Sequence, residues 1–150
     1  MSRKPVFPYA TTRTIGRDCL CLRIQRASRT IGQRFDEALR PVGLNNWQFT
    51  LLVALNQPSP LTINGLAEEV GMDRTTATKN LKPLERRGLL EIRQDEKDAR
   101  VRRIVLTASG HGVLAEALQY WQAANDAVAA SLKGGTLACL RSALDTIARS

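Results

Sequence analysis

The sequence predicts a mainly α-helical protein that carries one small β-hairpin. Two short helical patterns with a glycine turn between them occupy residues 61–87, and two β-rich runs joined by a charged tip occupy residues 89–106. Apolar residues at helical spacing lie on both sides of this block. This order is typical of a winged helix-turn-helix core, in which the β-hairpin is the wing, flanked by N- and C-terminal dimerisation helices.

The N-terminal segment predicts a loose arm followed by a long helix. The first dozen residues form the arm, and the helix is expected from about Thr14 to Arg40, where Pro41 and Gly43 end it. Residues three or four positions apart give this helix one apolar face: Leu20, Ile24, Ala27, Ile31, Phe35 and Ala38.

Three shorter helices are predicted next. The mostly apolar run WQFTLLVALN, residues 47–56, forms the first of them. Thr62 and Asp73 are suited to cap the other two, because their side-chain oxygens accept hydrogen bonds from N–H groups of the first turn. Gly71 makes the turn between these two helices, and the second of them ends near Arg87.

Pro83 lies inside the last of these helices and lacks the N–H that would bond the carbonyl of Lys79. A proline in an uninterrupted helix costs about 3 kcal/mol. The sequence therefore predicts a kink at residues 79–83 and a tilted last turn, Leu84–Arg87, that Gly88 closes.

Two strands and two further helices complete the predicted fold. The strands are Leu89–Gln94 and Val101–Leu106, and alternate side chains should face the core: Leu90, Ile92, Ile104 and Leu106. Thr107 caps a helix to about Leu132, and Gly134–Gly135 ends it. The final helix carries apolar residues three or four positions apart: Leu137, Leu140, Leu144 and Ile147.

The 150 residues are expected to form a single domain with three regions. Residues 1–45 form the arm and the first dimerisation helix, residues 46–106 the DNA-binding winged helix-turn-helix, and residues 107–150 the C-terminal dimerisation helices. Apolar faces outside the winged helix predict a homodimer, because such faces pack on each other or on a second copy. The alternative is a monomer whose terminal helices cover its own core.

The net charge of +8 is unevenly distributed along the chain. Residues 72–103 carry ten basic and six acidic residues, and residues 1–56 carry nine and three, whereas residues 104–150 carry three of each. Clustered Lys and Arg neutralise phosphates and release counterions, so the distribution predicts double-stranded DNA as the partner. A soluble protein with a basic surface is the alternative.

Composition also argues against several other classes of protein. No apolar run approaches the length of about 18 residues that a membrane span needs, and the N-terminus lacks a signal-peptide core, so we expect a cytoplasmic protein. Three scattered cysteines and one histidine do not form a metal-ligand set. Because no catalytic triad, paired-carboxylate motif or phosphate-binding glycine loop is present, we expect neither an enzyme nor a cofactor.

One face of the helix that begins at Asp73 carries side chains suited to DNA. Arg can bond guanine, Asn can bond adenine, and Thr can contact phosphate or the thymine methyl group, whereas Lys favours phosphates. The residues expected to contact DNA from this helix are Asp73, Arg74, Thr75, Thr76, Thr78, Lys79, Asn80 and Lys82.

The hairpin tip DEKDAR is the second predicted DNA contact. Lys97 and Arg100 lie at the tip, and Arg102 and Arg103 follow directly. An Arg at this position can enter a narrow A·T-rich minor groove, where the potential is most negative. Asp98 is expected to brace Arg100 or Arg102 through a charge-assisted hydrogen bond. The alternative for this loop is a solvated charged turn.

Several motifs together resemble the MarR (multiple antibiotic resistance regulator) family of bacterial transcription factors. They are LAEEVG, DRTTAT, LERRGLL, the D-x-R at Asp98–Arg100 and the LT-x-x-G at Leu106–Gly110. The resemblance covers nearly the whole chain after about residue 12. It implies a homodimer formed by the first and last helices, with residues 73–82 in the major groove and Arg100 in the minor groove. Pro83 departs from the family's most common pattern.

The same resemblance implies release from DNA by a small, commonly aromatic ligand held between the DNA-binding region and the dimerisation helices. Arg17, Trp47, Phe49 and His111 are the candidates for lining such a cleft. The alternatives are a core position for Trp47 and a surface or capping position for His111.

The segment LCLRIQRASRTIGQRFD also resembles the first helix of the organic-hydroperoxide-sensing branch of that family. It places Cys21 at the branch's reactive thiol, although Gln25 and Phe35 stand where the branch tends to have tyrosines. On one continuous helix, Cys19 and Cys21 lie about 200° apart and do not form a disulfide with each other. An inert thiol at Cys21 is the alternative to redox sensing.

These observations predict a dimeric, sequence-specific DNA-binding transcriptional regulator. We expect it to repress nearby genes by binding a pseudo-palindromic operator, and to be released by a small ligand or by oxidation. The alternative is a winged-helix RNA-binding or protein-docking module without operator specificity.

Overall fold

The computed structural model describes residues 6–149 and is mainly helical, with a small antiparallel sheet. The described chain divides between Gln33 and Arg34 into two compact units. Helix α1 (Tyr9–Asp18) lies in the first unit, and helix α2 (Leu20–Leu39) begins there and ends in the second.

The second unit contains the end of α2 and the remaining elements in the order that a winged helix-turn-helix requires. In sequence order they are a short 3-10 helix (Arg40–Val42), α3 (Asn46–Leu55), β1 (Leu61–Thr62), α4 (Ile63–Glu69), α5 (Arg74–Arg86), β2 (Leu90–Gln94), β3 (Arg102–Leu106), α6 (Ala108–Ala130) and α7 (Thr136–Ala148). The predicted fold class is therefore confirmed.

The prediction of a single N-terminal helix is wrong, because two helices occupy this segment. Helix α1 already begins at Tyr9, inside the expected arm, and Cys19 separates α1 from α2 with an extended backbone (ψ 111°). Local contacts replace helical bonding at this break, because the Sγ of Cys19 accepts the N–H of Leu22 at 3.4 Å. The Nε of Arg23 also donates to the carbonyl of Arg17 at 3.1 Å. Apolar spacing alone does not reveal such a break.

Side-chain caps begin the helices of the second unit, as the sequence indicated. The side-chain oxygens of Thr62, Asp73 and Thr107 each accept the N–H three residues further on, at 3.0, 2.8 and 3.0 Å. The sequence analysis missed the capping box of α3, in which Asn45 and Gln48 each accept the other's backbone N–H. These bonds satisfy N–H groups that have no partner inside the helix.

Helix α5 continues through Pro83 without a break. It ends at Arg87, and Gly88 adopts a left-handed backbone (φ +68°) that turns the chain into β2. The N–H of Leu89 then bonds the carbonyl of Leu84 at 3.0 Å, which closes the last turn. The predicted closure at Gly88 is confirmed, and the kink at residues 79–83 stays a prediction.

The sheet has three strands in the order β1-β3-β2, all antiparallel. In the hairpin, Leu90 lies opposite Leu106 and Ile92 opposite Ile104, so alternate side chains face the core as expected. Strand β1 was not predicted. It consists of two residues, and its pairing of Leu61 with Ile104 joins positions that are distant in the sequence.

The core of the second unit extends beyond the expected winged-helix boundary at residue 46. Leu39, Val42 and Leu44 are buried together with side chains of α3, α4, α5 and the sheet. The end of α2 and the turn after it thus belong to the core that holds α5. The single-domain assignment and its internal boundaries at residues 45 and 106 remain predictions.

Large apolar side chains stay exposed on the terminal helices. In α2 they include Leu20, Ile24 and Ile31, and in α6 and α7 they include Leu118, Leu140, Leu144 and Ile147. Among residues 6–149, none of the helices is both long enough and apolar enough to cross a membrane.

Gly110, in the first turn of α6, packs directly on the backbone of Leu89, the residue before β2. A Cβ at this position would lie 2.0 Å from the carbonyl oxygen of Leu89, whereas a Cβ at Gly112 would meet nothing within 4 Å. We expect Gly110→Ala to lower the free energy of unfolding by about 1–3 kcal/mol, because the backbone must move. Gly112→Ala, the matched control, should raise it by about 0.5–1 kcal/mol.

Urea unfolding followed by circular dichroism measures both variants. Equal stabilities for Gly110→Ala and the wild type would contradict the close approach between α6 and Leu89.

Candidate nucleic-acid interface

The N-terminus of α5 is fixed by two hydrogen bonds that Thr76 donates to Asp73. The carboxylate of Asp73 accepts the N–H of Thr76 at 2.8 Å and its hydroxyl at 2.6 Å. These bonds, the hydroxyl's first, hold the pKa of Asp73 below its ordinary value. Asp73 and Thr76, both predicted as DNA contacts, therefore have a structural role at the start of the helix, where Thr76 bonds both oxygens of the Asp73 carboxylate.

The solvent-facing side of α5 is basic. Arg74, Thr75, Lys79 and Lys82 are exposed, while Ala77, Leu81 and Leu84 are buried on the opposite side. A shallow groove runs along the exposed side, and its lining contains no carboxylate: Arg74, Thr75, Thr78, Lys79, Lys82, Pro83 and Arg86. We call this set the basic face of α5. Pro83 and Arg86 were not predicted as contacts, although Pro83 directly follows Lys82 and Arg86 lies one turn beyond it.

Two predicted contacts on α5 use their side chains within the helix. The hydroxyl of Thr78 donates to the carbonyl of Arg74 at 2.9 Å, and the amide of Asn80 donates to the carbonyl of Thr76 at 3.0 Å. Asn80 is half-buried, and this bond holds its amide nitrogen against the helix backbone, so its side chain is less accessible than those of Arg74 and Lys79.

A second groove brings the wing and α5 together. Arg100, Val101 and Arg102 line it from the wing, Arg74 lines it from α5, and residues 62–64 line it from the start of α4. Three guanidinium groups and no carboxylate thus face one groove, which favours a phosphate. Thr62 and Asn64 were not predicted as site residues, and only the fold places them beside Arg100.

The wing tip presents Arg100 to solvent. Its side chain is 95% exposed, and its Nε lies 3.9 Å from the carboxylate of Asp98. Asp98 also accepts the backbone N–H of Arg100 at 3.0 Å. Asp98 thus holds the backbone of Arg100, whereas the two side chains are too far apart, at 3.9 Å, for the charge-assisted hydrogen bond that the sequence predicted. Lys97 and Arg102 are exposed beside it.

Arg103, although predicted as a DNA contact, is used inside the wing. Its Nε donates to the carboxylate of Asp95 at 2.6 Å, and its Nη1 donates to the carbonyl of Pro60 at 3.0 Å. Asp95 also accepts the N–H groups of Lys97 and Asp98 at 2.8 and 3.0 Å. The Arg103 bond first, and then these N–H groups, lower the pKa of Asp95 to about 2. The sequence analysis missed Asp95 as the anchor of the hairpin turn.

Comparison with known proteins decides the family of this fold. The MarR family profile matches residues 42–101. The M. tuberculosis transcriptional regulator MosR, solved in complex with DNA, is 36% identical, with 88% of this chain and 95% of that chain covered and a TM-score of 0.78. The chain belongs to the MarR family. Its members matched here are winged-helix transcriptional regulators rather than enzymes.

Two further relatives of this MarR-family chain are informative. The transcriptional repressor MprA of Escherichia coli K12 is 33% identical over 119 residues, which span 78% of this chain and 64% of MprA. CouR bound to a 23-mer DNA duplex is 25% identical, with 97% and 99% of the two chains covered and a TM-score of 0.81. CouR of Rhodococcus jostii RHA1 has also been solved with p-coumaroyl-CoA. The chain thus spans about two thirds of the curated relative and nearly all of the structural ones.

Two of the four residues predicted to line a ligand cleft in this MarR-family chain share a cavity of the second unit. Phe49 and His111 lie in one cavity between α3 and α6, whose other lining residues are Val53, Asn56, Leu114, Ala115 and Leu118. Trp47 does not line this cavity and is 45% exposed. Arg17 belongs to the first unit, where it pairs with Asp18 at 2.7 Å. Trp121, which was not predicted, stacks on Phe49 with ring centroids 6.3 Å apart.

The cysteines differ from the arrangement that the sequence analysis assumed. Cys19 lies in the break between α1 and α2, so Cys19 and Cys21 are not on one continuous helix. Cys21 is exposed in the first turn of α2, and all three cysteines are free thiols. Among the described residues, no three His, Cys, Asp or Glu side chains are grouped so that they could hold a metal ion.

The ion pair between Asp95 and Arg103 predicts a titration at low pH. Because folding lowers the pKa of Asp95 from 3.8 to about 2, the pair stabilises the wing fully above pH 3.8 and is lost as the pH falls towards 2. We expect the NMR resonance of the Arg103 Nε–H to shift with a midpoint near pH 2. In Asp95→Asn this shift should disappear. A midpoint near pH 4 in the wild type would contradict the pairing.

Proposed function

We propose that this protein is a dimeric transcriptional repressor that acts in the cytoplasm and binds a pseudo-palindromic DNA operator. The observation that carries the proposal is the pair of acid-free grooves along α5 and beside Arg100, since together they offer Arg and Lys to phosphates and base edges. The DNA-bound structures of MosR and CouR support DNA as the partner, and the name of MprA supports repression.

In this proposal, α5 is the recognition helix in the major groove. Arg74, Thr75, Thr78, Lys79, Asn80 and Lys82 contact bases and phosphates. Arg100 enters the minor groove, with Lys97 and Arg102 on the adjacent backbone. Asp73, Thr76, Asp98 and Arg103 hold these side chains in place.

Dimerisation accounts for the exposed apolar side chains of the terminal helices. A second copy would cover Leu140, Leu144 and Ile147 of α7 and Leu20, Ile24 and Ile31 of α2. A twofold dimer then places two recognition helices about 34 Å apart, which is one turn of DNA.

Release from DNA is assigned to a small apolar ligand in the cavity between α3 and α6. The cavity has a volume of about 340 Å³, and its lining is mainly apolar, with Asn56 and His111 as polar groups. This composition suits an aromatic ligand that carries one polar substituent. The complex of CouR with p-coumaroyl-CoA supports an aromatic effector in this family.

Oxidation is the second candidate for release, and the exposed thiol of Cys21 favours it. A hydroperoxide would oxidise this thiol to a sulfenic acid and would itself be reduced to an alcohol. The sulfenic acid lies in the first turn of α2, close to the proposed dimer contacts of Leu20 and Ile24.

DNA binding through the wing is tested with Arg100→Ala. We expect the Kd for the promoter DNA beside the protein's own gene to rise by about tenfold or more, because the minor-groove contact is lost. Arg93→Ala is the matched control, since Arg93 lies on the same hairpin but is paired with Glu91 at 2.7 Å. Fluorescence anisotropy measures both variants, and the control should stay within about twofold of the wild type.

Equal binding of Arg100→Ala and the wild type would remove the wing from the mechanism. Tighter binding of the wild type to structured RNA than to any duplex DNA would instead favour the RNA-binding alternative, and an absence of nucleic-acid binding would favour a protein-docking module.

Release is tested on the preformed DNA complex. If Cys21 is the sensor, an organic hydroperoxide should release DNA from the wild type but not from Cys21→Ser, whereas equal release rules Cys21 out. An aromatic carboxylate that releases DNA from both proteins should change the fluorescence of Trp121, because this ring stacks on Phe49 at the cavity. Unchanged Trp121 fluorescence would place the effector elsewhere.

A further inference from the structure

Arg87 connects the end of α5 to a distant turn of the second unit. Its Nη1 donates to the carbonyl of Gly43 at 2.5 Å, and its Nη2 donates to the carbonyl of Val42 at 3.0 Å. Gly43 follows the short 3-10 helix, 44 residues earlier in the chain. The guanidinium group therefore spans the space between α5 and the turn that follows α2.

The backbone of the turn at Gly43 lies directly against this guanidinium group. Gly43 has a left-handed backbone (φ +67°), and a Cβ there would lie 3.2 and 3.3 Å from the two terminal nitrogens of Arg87. The two accepting carbonyls lie at the end of a 3-10 helix, where no further helical N–H reaches them. A forked guanidinium satisfies both carbonyls at once and fixes their relative orientation.

Packing of its buried side already restrains α5, and the fork of Arg87 adds a directional hydrogen-bonded contact to another element. Leu81 and Leu84 are fully buried, but apolar contacts of this kind are not directional. Pro83 also removes one backbone N–H from the same end of the helix. The neighbouring Arg86 points into the groove of the basic face, so it does not serve as a second anchor.

We propose that Arg87 is a positioning residue for DNA recognition, which sets the rotation of α5 by anchoring its C-terminal end to the carbonyls of Val42 and Gly43. The inference rests on the proposed function, in which α5 is the recognition helix. Arg87 itself need not touch DNA. A rotation of α5 displaces Arg74, Lys79 and Lys82 together, which weakens every contact of the basic face.

The test uses Arg87→Lys, which keeps the positive charge and loses the fork. We expect the Kd for the operator to rise by about tenfold, while the slope of log K against log salt concentration stays at the wild-type value. Gly43→Asn should act in the same direction, because Asn tolerates a positive φ but adds a Cβ against the guanidinium. Arg93→Lys is the matched control, because it makes the same substitution in β2, where Arg93 bonds Glu91 of the same strand, and it should leave the Kd within about twofold of the wild type.

Binding is measured by fluorescence anisotropy at a temperature at which thermal unfolding shows each variant to be fully folded. A residue that only stabilised the fold would lower the Tm of Arg87→Lys and leave its Kd at the wild-type value, and that result overturns the proposal. A wild-type Kd for Gly43→Asn also overturns it. For Arg87→Gln, a fall of about one in the salt slope would identify Arg87 as a phosphate contact instead.

A measurement without DNA separates this inference from the proposed function. In Arg87→Lys, the amide NMR shifts of Thr75–Lys82 should change, although these residues lie one turn or more from position 87. If the wild type binds no DNA but these shifts change, the proposed function fails while the positioning of α5 stands. Unchanged shifts overturn the positioning role.

Discussion

The winged helix depends on a close backbone contact where α5 ends and α6 begins. The hydroxyl of Thr107 donates to the carbonyl of Gly88 at 2.6 Å, and its N–H donates to the carbonyl of Leu89 at 3.2 Å. Gly110 packs so tightly on that same Leu89 carbonyl that no Cβ fits. This contact joins the residues that follow α5 to the residues between β3 and α6. The helix that faces DNA and the wing beside it therefore keep a fixed mutual orientation. The presence of Thr107 and Gly110 in the LT-x-x-G motif therefore has a structural reason.

Three carboxylates of the proposed DNA-binding surface bond neighbouring groups of the protein. Asp73 is held by Thr76, Asp95 by Arg103, and Asp98 by the backbone N–H of Arg100. Each of these acids bonds a group that shapes the start of α5 or the turn of the wing. The remaining Arg and Lys side chains of the two grooves face solvent without a competing anion. These acids stabilise the local structure, and the exposed Arg and Lys side chains give the surface a positive potential. Such a potential attracts a polyanion.

Much of the fold follows from local sequence patterns. Thr62, Asp73 and Thr107 start helices because their side chains are short and can accept a bond three residues on, and Gly88 ends α5 because it tolerates a positive φ. The hairpin strands lie within one residue of their predicted bounds, since alternation of apolar residues fixes their register. Cys19 is the exception. Its side chain accepts the N–H of Leu22, and the helix is interrupted there although the apolar pattern continues.

The sequence by itself determined the fold class, the order of the winged-helix elements apart from β1, the basic side of α5 and the exposed Arg at the wing tip, because these depend on residues close together in the chain. Only the tertiary structure decided that Arg103 holds Asp95 and Pro60, that Arg87 reaches Gly43, and that Phe49 and His111 share a cavity while Trp47 does not. These contacts join residues that lie tens of positions apart, apart from the Asp95 pair. Their partners are chosen by packing between elements, and no local spacing encodes that choice.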